Sequence, residues 1–422
     1  MTSRPTLLAV TSELPWPLSS GGHLRTFHLL KGLAQRFDVR LVVPSPREEA
    51  EARLTIARAG IRLHDVPIGP RRAITEAGRI AAAVLRAEPY VLYARHRRRS
   101  VMRALKAEIA RRPPDVVYLD HLDSLCYAGI AGRTPIVVDM HNVYSRLAER
   151  ASREVHGFAK RTYLSGQAIM LGHKEQAAAG LAHTIFACSD DEARYFQSLG
   201  ANHVVVVPNG VDTSAYSWTA SRREGPPTIL FIGALEWTPN ISAVRFLARD
   251  VLPAVRTRVP DARLLVVGRR PTAEILALGD PGRVDIAADV PDVRPYWEQA
   301  DLLAVPLETG GGTRIKILEA FAAGVPVVSS PIGCEGIDAR HQEHLLIASR
   351  DTFADVVVQS LEDSMGAAAR AASARSLARR QYDWGMIGAR AAETLEIATA
   401  KADRSRGGMS EFASFPAEAP AP

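Results

Sequence analysis

Short apolar runs of strand length alternate along this chain with stretches of helical spacing. No other feature of the sequence restricts the fold as strongly. In the first half the runs are Leu7–Val10, Val39–Val43, Val116–Leu119, Ile136–Val138, Thr184–Ala187 and Val204–Val207, with a helical pattern over His23–Gln35 after the first. The second half repeats the arrangement with Thr228–Ile232, Leu264–Val267, Leu302–Val305 and Val325–Ser329, with helices over Ile241–Val255 and Arg314–Ala323 between them. Continuous apolar strands are buried on both faces, and their alternation with helices marks βαβ units and a parallel sheet. The chain is therefore expected to be α/β. At 422 residues it exceeds one core and suits two domains of about 150–200 residues each.

The seam is legible. Pro208-Asn-Gly-Val-Asp212 carries an Asn-Gly turn, and the polar, aperiodic Thr213–Pro227 that follows reads as a linker. The expected organisation is a first domain over 1–212, a linker over 213–227 and a second domain over 228–382. A helix over 383–402 should pack back on the first domain, and a Gly/Ser/Pro/Ala-rich tail over 403–422 should be disordered.

With 47% hydrophobic and 23% charged residues, disordered, collagen-like and fibrous classes are excluded. No apolar run approaches the roughly 20 residues of a spanning helix, and the N-terminus lacks a signal-peptide layout, so a cytoplasmic protein is expected. Cys126, Cys188 and Cys334 are odd in number and widely spaced, which gives neither a disulfide framework nor a CxxC metal pattern. Charge is uneven: residues 1–210 carry 29 Lys/Arg against 19 Asp/Glu, and the remainder carries 23 against 27. The two halves face different partners.

Several motifs are missing. No GxGxxG follows a strand and no GxxxxGK[ST] is present, so neither a dinucleotide cofactor nor a P-loop is indicated. Asp120-His121-Leu122-Asp123 holds groups that ligate metals, but its place after a strand favours the opening of a helix, and no metal site is expected. Ser189-Asp190-Asp191-Glu192 matches a capping box.

Chemistry concentrates in Pro306-Leu-Glu-Thr-Gly310-Gly311-Gly312-Thr313-Arg314-Ile-Lys316-Ile-Leu-Glu319. Glycines that leave a strand and open a helix let backbone amides approach a ligand, and the helix start favours an anion. Arg314 and Lys316 stand where the helix dipole disfavours cations unless an anion is bound, which points to phosphate. Glu319 lies among apolar neighbours, where a carboxylate needs partners. A ribose diol would satisfy both its oxygens; an internal pair with Lys316 or Arg314 would also serve. Phosphate donors and a diol acceptor on one helix describe a nucleotide-diphosphate site.

This stretch resembles the donor-site signature of the family 4 retaining glycosyltransferases, of GT-B fold, in a GGTRxKxxE subset. Further matches are Gly21-Gly22 after the first strand, His141 after Ile136–Val138, Val207-Pro-Asn-Gly-Val-Asp212, Phe231-Ile-Gly233 and Ala300-Asp-Leu-Leu-Ala-Val-Pro306. The resemblance covers about residues 5–400. It implies two Rossmann-like parallel-sheet domains facing a cleft, and sugar transfer from a nucleotide-diphosphate sugar to a glycan, lipid-linked or small-molecule hydroxyl acceptor. It implies no cofactor beyond the nucleotide-sugar substrate. Glu319 resembles the ribose-holding glutamate, and His141 the histidine that hydrogen-bonds the donor sugar. Gly21, Gly22, Gly233, Arg269, Gly310, Gly311, Gly312 and Thr313 are the further donor contacts implied.

Two departures stand out. The family's second glutamate, eight positions before the ribose-binding one, is here Gly311, with Glu308 three residues away. The Arg and Lys that the family often places after the first strand of domain two are replaced by Gly233-Ala-Leu-Glu-Trp237-Thr-Pro-Asn240. Arg314 and Lys316 are therefore expected to take over the diphosphate, without a metal. No carboxylate stands out as a nucleophile, so front-face attack is expected, with His141 positioning the sugar. A GT-B nucleotide-sugar epimerase and a non-catalytic nucleotide-sugar-binding scaffold are the alternatives; the site is poor in acid/base groups for the first. Finally, the basic stretch 95–112, with Val101, Met102, Leu105 and Ile109 at helical spacing, suits either an anionic membrane surface at its inner face or an ordinary charged helix face. It lacks the interleaved aromatics that would suggest nucleic acid.

Overall fold

The computed structural model describes residues 4–18, 20–45, 49–69, 73–155, 157–216, 225–310 and 313–410. Its strands form two all-parallel sheets. The first holds β1 (Thr6–Val10), β2 (Asp38–Ser45), β3 (Arg62–Pro67), β4 (Val116–Asp120), β5 (Ile136–Met140), β6 (Thr184–Ala187) and β7 (Val204–Val206) in the order β3-β2-β1-β4-β5-β6-β7. The second holds β8 (Thr228–Ile232), β9 (Arg263–Gly268), β10 (Val284–Ala288), β11 (Leu302–Val305), β12 (Val327–Ser329) and β13 (Leu346–Ile347) in the order β10-β9-β8-β11-β12-β13. In each sheet the order reverses once, between β1 and β4 and between β8 and β11. Loops leaving the carboxyl ends of such a pair diverge and open a crevice.

The central strands are buried on both faces, as their composition demands. Along β1, Leu7 and Ala9 join one apolar cluster while Leu8 and Val10 join the cluster on the opposite face. Each such leucine or valine contributes about 1.5–3 kcal/mol on burial. β3 and β10 had no continuous apolar run to announce them, and β13 lies in the short run Leu345–Ala348 that the sequence reading passed over. All are edge strands, and β3 exposes its polar positions alternately. The helix expected over Ile241–Val255 is three pieces: Thr238–Phe246, a wide turn at Leu247–Val251, and Leu252–Arg256. Pro253 accounts for the interruption, since its ring collides with the carbonyl four residues back in a regular helix.

The helix Arg99–Arg111 presents its arginines outward, but Val101 and Leu105 are fully buried against the sheet. Its apolar stripe is committed to the core and is not available to lipid. Among the described residues, no helix is long and apolar enough to cross a membrane.

The chain crosses back at its end. Val211 N–H donates to the Tyr382 carbonyl (2.8 Å) and Trp384 N–H to the Val211 carbonyl (3.1 Å). Gly210 allows this approach, because a Cβ there would lie 2.7 Å from the Tyr382 oxygen. The helix Trp384–Ser410 then packs on the helix Gly21–Leu33, with Trp384, Ile387, Ala391 and Leu395 in the same cluster as Phe27, Leu30 and Leu33. It runs past the boundary expected at 402; residues 411–422 and the linker residues 217–224 lie outside the described residues. The two helices meet at glycines. A Cβ on Gly32 would stand 2.4 Å from the Gly388 Cα. Gly32→Ala is therefore expected to destabilise the fold by about 1–3 kcal/mol through overpacking. Gly78→Ala, at an exposed helical position with nothing within 4 Å, should be neutral or stabilising. Chemical denaturation of the two variants compares them directly.

Candidate functional site

At the reversal of the first sheet, the loop after β1 ends in Ser20, whose hydroxyl caps the helix Gly21–Leu33 by accepting from His23 N–H (3.3 Å). Gly21 and Gly22 are thus the first turn of a helix and not a free loop. Both are exposed, and the absence of side chains leaves their backbone open toward the cleft. A Cβ on Gly22 would lie 3.9 Å from His141 Nδ1.

His141 follows β5 and is buried. Its Nε2 meets Asp120 Oδ1 (3.1 Å) and Asp139 Oδ2 (3.4 Å), so Nδ1 is the nitrogen turned to the glycines. Burial alone would lower this imidazole, but the Asp120 and Asp139 carboxylates outweigh it and hold the group up at about 9. At neutral pH it is an imidazolium, a donor and not a base. His121 packs edge-on against it (4.6 Å between centres). Burial, and then the charge of His141, push His121 down to about 3, so it stays neutral.

Asp139 is the hub of this half. Arg25, from the first helix, donates from Nε to both its oxygens (3.1 and 3.0 Å) and from Nη2 to Oδ1 (2.5 Å). Tyr118 donates its hydroxyl to Oδ2 (2.8 Å), and Arg25 Nη1 continues to the Val207 carbonyl (2.8 Å) and Asn209 Oδ1 (3.2 Å). Both charges are completely buried. Burial raises the Asp139 carboxyl, and Arg25 with His141 overrides this to hold it far below the ordinary carboxylate range. Asp120, Asp139 and His141 are close enough together to hold a metal ion. The donor set does not suit one, because Arg25 already occupies both Asp139 oxygens and a second cation there would be repelled.

At the reversal of the second sheet, the loop after β11 leads to the helix Ile315–Ala323. Arg314 stands at its N-cap, and no side chain caps the helix start. Gly311 and Gly312 lie outside the described residues. Ile317, Leu318, Ala320, Phe321 and Ala322 are buried in the core, whereas Lys316 and Glu319 sit on the half-open face, so the helix is not apolar all round. Lys316 Nζ donates to Asn240 Oδ1 (3.2 Å) and lies 4.2 Å from the Phe231 ring centre. Burial, and then the charge of Arg314, push this ammonium down to about 7. Glu319 does not form the internal ion pair with Lys316 or Arg314 that the sequence offered as one of its two possible partners. It accepts from the Tyr216 hydroxyl (3.0 Å), and burial outweighs that bond and the Lys316 charge to raise its carboxyl.

Gly233 does not offer its amide to a ligand: its N–H donates to the Val267 carbonyl (3.0 Å). Its role is clearance, because a Cβ would lie 2.9 Å from Lys316 Nζ and 2.7 Å from Asn240 Nδ2. Glu308 is turned into an ion pair with Arg350 (3.0 Å) and does not stand in for the glutamate missing at Gly311. The Thr313 hydroxyl is buried and makes no hydrogen bond among the described residues. Gly310 takes a left-handed backbone (φ +120°) and abuts Trp237. The sequence reading missed Arg25, Tyr118, Asp139, Asn240 and Tyr216. The signals present were a buried Arg amid an apolar helix and an Asp interrupting a strand.

The halves face each other. A Cβ on Gly21 would lie 3.1 Å from Ile315 Cδ1, so the two helix starts meet across the cleft. Arg269, after β9, is near enough for its charge to act on His23 of the first helix. A cleft of about 650 Å³ continues alongside, lined by Asn142, Arg146, Arg150, Thr313, Glu335 and Arg390 among others. Because the Arg25–Asp139 pair organises the first half, Asp139→Asn should destabilise the fold by about 3–5 kcal/mol by leaving Arg25 buried without its counter-charge. Urea unfolding measures this.

Comparison with known proteins agrees with this architecture. The model described as Glycosyltransferase Family 4 matches residues 19–215, and that described as Glycosyl transferases group 1 matches 226–363. A phosphatidyl-myo-inositol mannosyltransferase of Mycobacterium tuberculosis is 31% identical over 220 residues, covering 48% of this chain and 56% of its own. A GDP-mannose-dependent alpha-(1-6)-phosphatidylinositol monomannoside mannosyltransferase of the same species is 29% identical over 238 residues, covering 50% and 60%. The chain thus spans little more than half the length of these relatives. Among solved structures, Anabaena HepE in complex with UDP-glucose superposes with a TM-score of 0.64 at 16% identity, over 93% of this chain and 99% of that one. Sucrose-phosphate synthase from Thermosynechococcus elongatus gives 0.66 at 14% identity, over 94% and 100%. The two family models together span most of the chain, each over one of its two sheets, and the chain belongs to the family 4 glycosyltransferases of GT-B fold.

Proposed function

We propose that the protein transfers a sugar from a nucleotide-diphosphate sugar to a hydroxyl acceptor, with retention of anomeric configuration. The observation that carries this is the meeting of two helix starts across the cleft, with Arg314 and Lys316 on one side and His141 on the other. The diphosphate lies at the start of the helix Ile315–Ala323, held by its amides and by Arg314 and Lys316. Thr313 offers its buried hydroxyl, which makes no hydrogen bond among the described residues. Glu319, already oriented by Tyr216, takes the ribose hydroxyls. Lys316 stands where Gly233 and Asn240 make room for it, which supports its replacing the cations absent after β8.

In the reaction, the bond from the anomeric carbon to the β-phosphate oxygen breaks, and the acceptor oxygen bonds to that carbon on the same face. The acceptor proton passes to the departing phosphate oxygen. Negative charge grows on the leaving group, and the fixed cations and helix amides stabilise it. His141, as an imidazolium, donates through Nδ1 to the sugar and takes no proton. Asp139 and Asp120 are committed to Arg25, Thr26 and His141, and Glu308 to Arg350, so none of these three carboxylates is free to act as nucleophile. This favours front-face attack.

Calorimetry with UDP, GDP and ADP tests the site. One of them should bind, and Arg314→Ala should weaken it about tenfold to a hundredfold, the value of a charge-assisted hydrogen bond. Lys316 adds a pH signature. Its ammonium titrates at about 7 in the free protein, and a bound diphosphate raises it. Binding near neutral pH should therefore take up a proton, and affinity should fall as pH rises above that value and level off below it. Equal heats in buffers of different ionisation enthalpy would contradict this. Binding of none of the three nucleotides would contradict the donor site.

The acceptor side faces an anionic membrane surface in this proposal. Arg99, Arg103 and Lys106 point outward from the helix Arg99–Arg111, and the neighbouring helix Ala73–Leu85 exposes Ile74, Val84 and Leu85. Charge attraction comes from the first helix and apolar contact from the second. The protein should float with vesicles containing phosphatidylglycerol and not with pure phosphatidylcholine, and Arg99→Glu with Arg103→Glu should abolish flotation.

A further inference from the structure

The first domain reaches into the glycine loop of the second. Arg150, on the helix Tyr144–Glu154, donates from Nη1 to the Gly310 carbonyl (3.0 Å) and holds the Glu335 carboxylate with Nη1 and Nη2 (both 3.2 Å). Its helix is a firm base. Ser145 N–H donates to Oε1 of the fully buried Glu175 (3.0 Å), whose Oε2 accepts from the Tyr195 hydroxyl (2.7 Å).

The far end is equally defined. At Gly310 a Cβ would lie 2.9 Å from the Trp237 ring and 3.1 Å from Arg314 Nη2, so the loop is pressed against both. Trp237 supports it from its own domain and Arg150 ties it from the other. Arg150 and Arg314 bear like charges from opposite domains, and Glu335 lies close enough to act on both. A forked guanidinium fixes direction as well as distance, which a lone ammonium cannot do.

We propose that Arg150 is a positioning residue that couples closure of the cleft to alignment of the donor loop, by clamping the Gly310 carbonyl and Glu335 from the opposite domain. This rests on the donor site proposed above. With the clamp made, Gly310 is fixed and the run into Arg314 starts from a defined point; with the domains apart, the loop loses its outer tie. The mutational effect should be moderate, because Arg150 and Glu335 are about half exposed, at 45% and 47%.

The test uses Arg150→Gln, Glu335→Gln, the double variant and Arg150→Lys, with calorimetry against UDP, GDP and ADP and amide hydrogen exchange over 308–315. Arg150→Gln should weaken the nucleotide that the parent binds by about threefold to tenfold and speed exchange in the loop. Glu335→Gln should reproduce part of the loss, and the double variant should be no worse than Arg150→Gln. Arg150→Lys should not restore affinity. Melting temperature should move by only about 1 °C, as for a surface substitution. Unchanged binding and exchange in Arg150→Gln would overturn the proposal, as would fully additive losses or a binding loss that merely tracks a large drop in melting temperature. If the parent binds none of the nucleotides, the functional reading fails, while loop exchange still decides the clamp.

Discussion

The strand order reverses once in each sheet, and the placement of every functional group follows from that. In a parallel sheet, crossovers on one side of the reversal run away from those on the other, so the loops after β1 and β4, and after β8 and β11, are left without a covering helix. Gly21, Gly22, Asp120 and His141 emerge around the first gap. Gly233, Arg314, Lys316 and Glu319 emerge around the second. The return of the chain through Val211 and Trp384, with the glycine contact of Gly32 and Gly388, ties the end of the second half to the first and brings the gaps face to face.

Electrostatics then divides the labour. In the first domain a buried network built on Arg25 and Asp139 spends its charges internally and leaves His141 with its proton. A buried ion pair of this kind gives little net stability over an apolar pair, and its value lies in fixed geometry. In the second domain burial and the charge of Arg314 push Lys316 down to about 7, and burial raises the Glu319 carboxyl. The first half is organised in advance, and in the proposed function the second takes up the anion. The surplus positive charge of residues 1–210 belongs to neither network; it lies on the outer face around Arg99–Arg111.

The fold was legible because its central strands are apolar on both faces, and such runs have few other uses. What escaped were β3 and β10, edge strands whose half-exposed faces admit Arg, His and Asp, and the two-residue edge strand β13. The helix Ile315–Ala323 was legible for a different reason: Arg314 at its start, with Lys316 and Glu319 within it, breaks the apolar pattern. Glu319 illustrates the limit. Its neighbours in sequence declared a carboxylate in need of a partner, but Tyr216, which supplies one, is 103 residues away and reaches it only through the fold. Arg25 and Asp139 are 114 residues apart, and neither position alone announces the pair. The basic helix shows a second limit. Its periodicity was read correctly, but the apolar stripe serves the core, and only the fold tells core from lipid.

The account stands on the diphosphate lying at the start of the helix Ile315–Ala323 with the ribose on Glu319. A crystal structure with the bound nucleotide diphosphate tests this most directly. It should show phosphate oxygens within hydrogen-bond distance of Arg314, Lys316 and the helix amides, and ribose hydroxyls on the Glu319 carboxylate. A nucleotide seated elsewhere in the cleft, with Lys316 still on Asn240 and Glu319 bonded to Tyr216 alone, would contradict it.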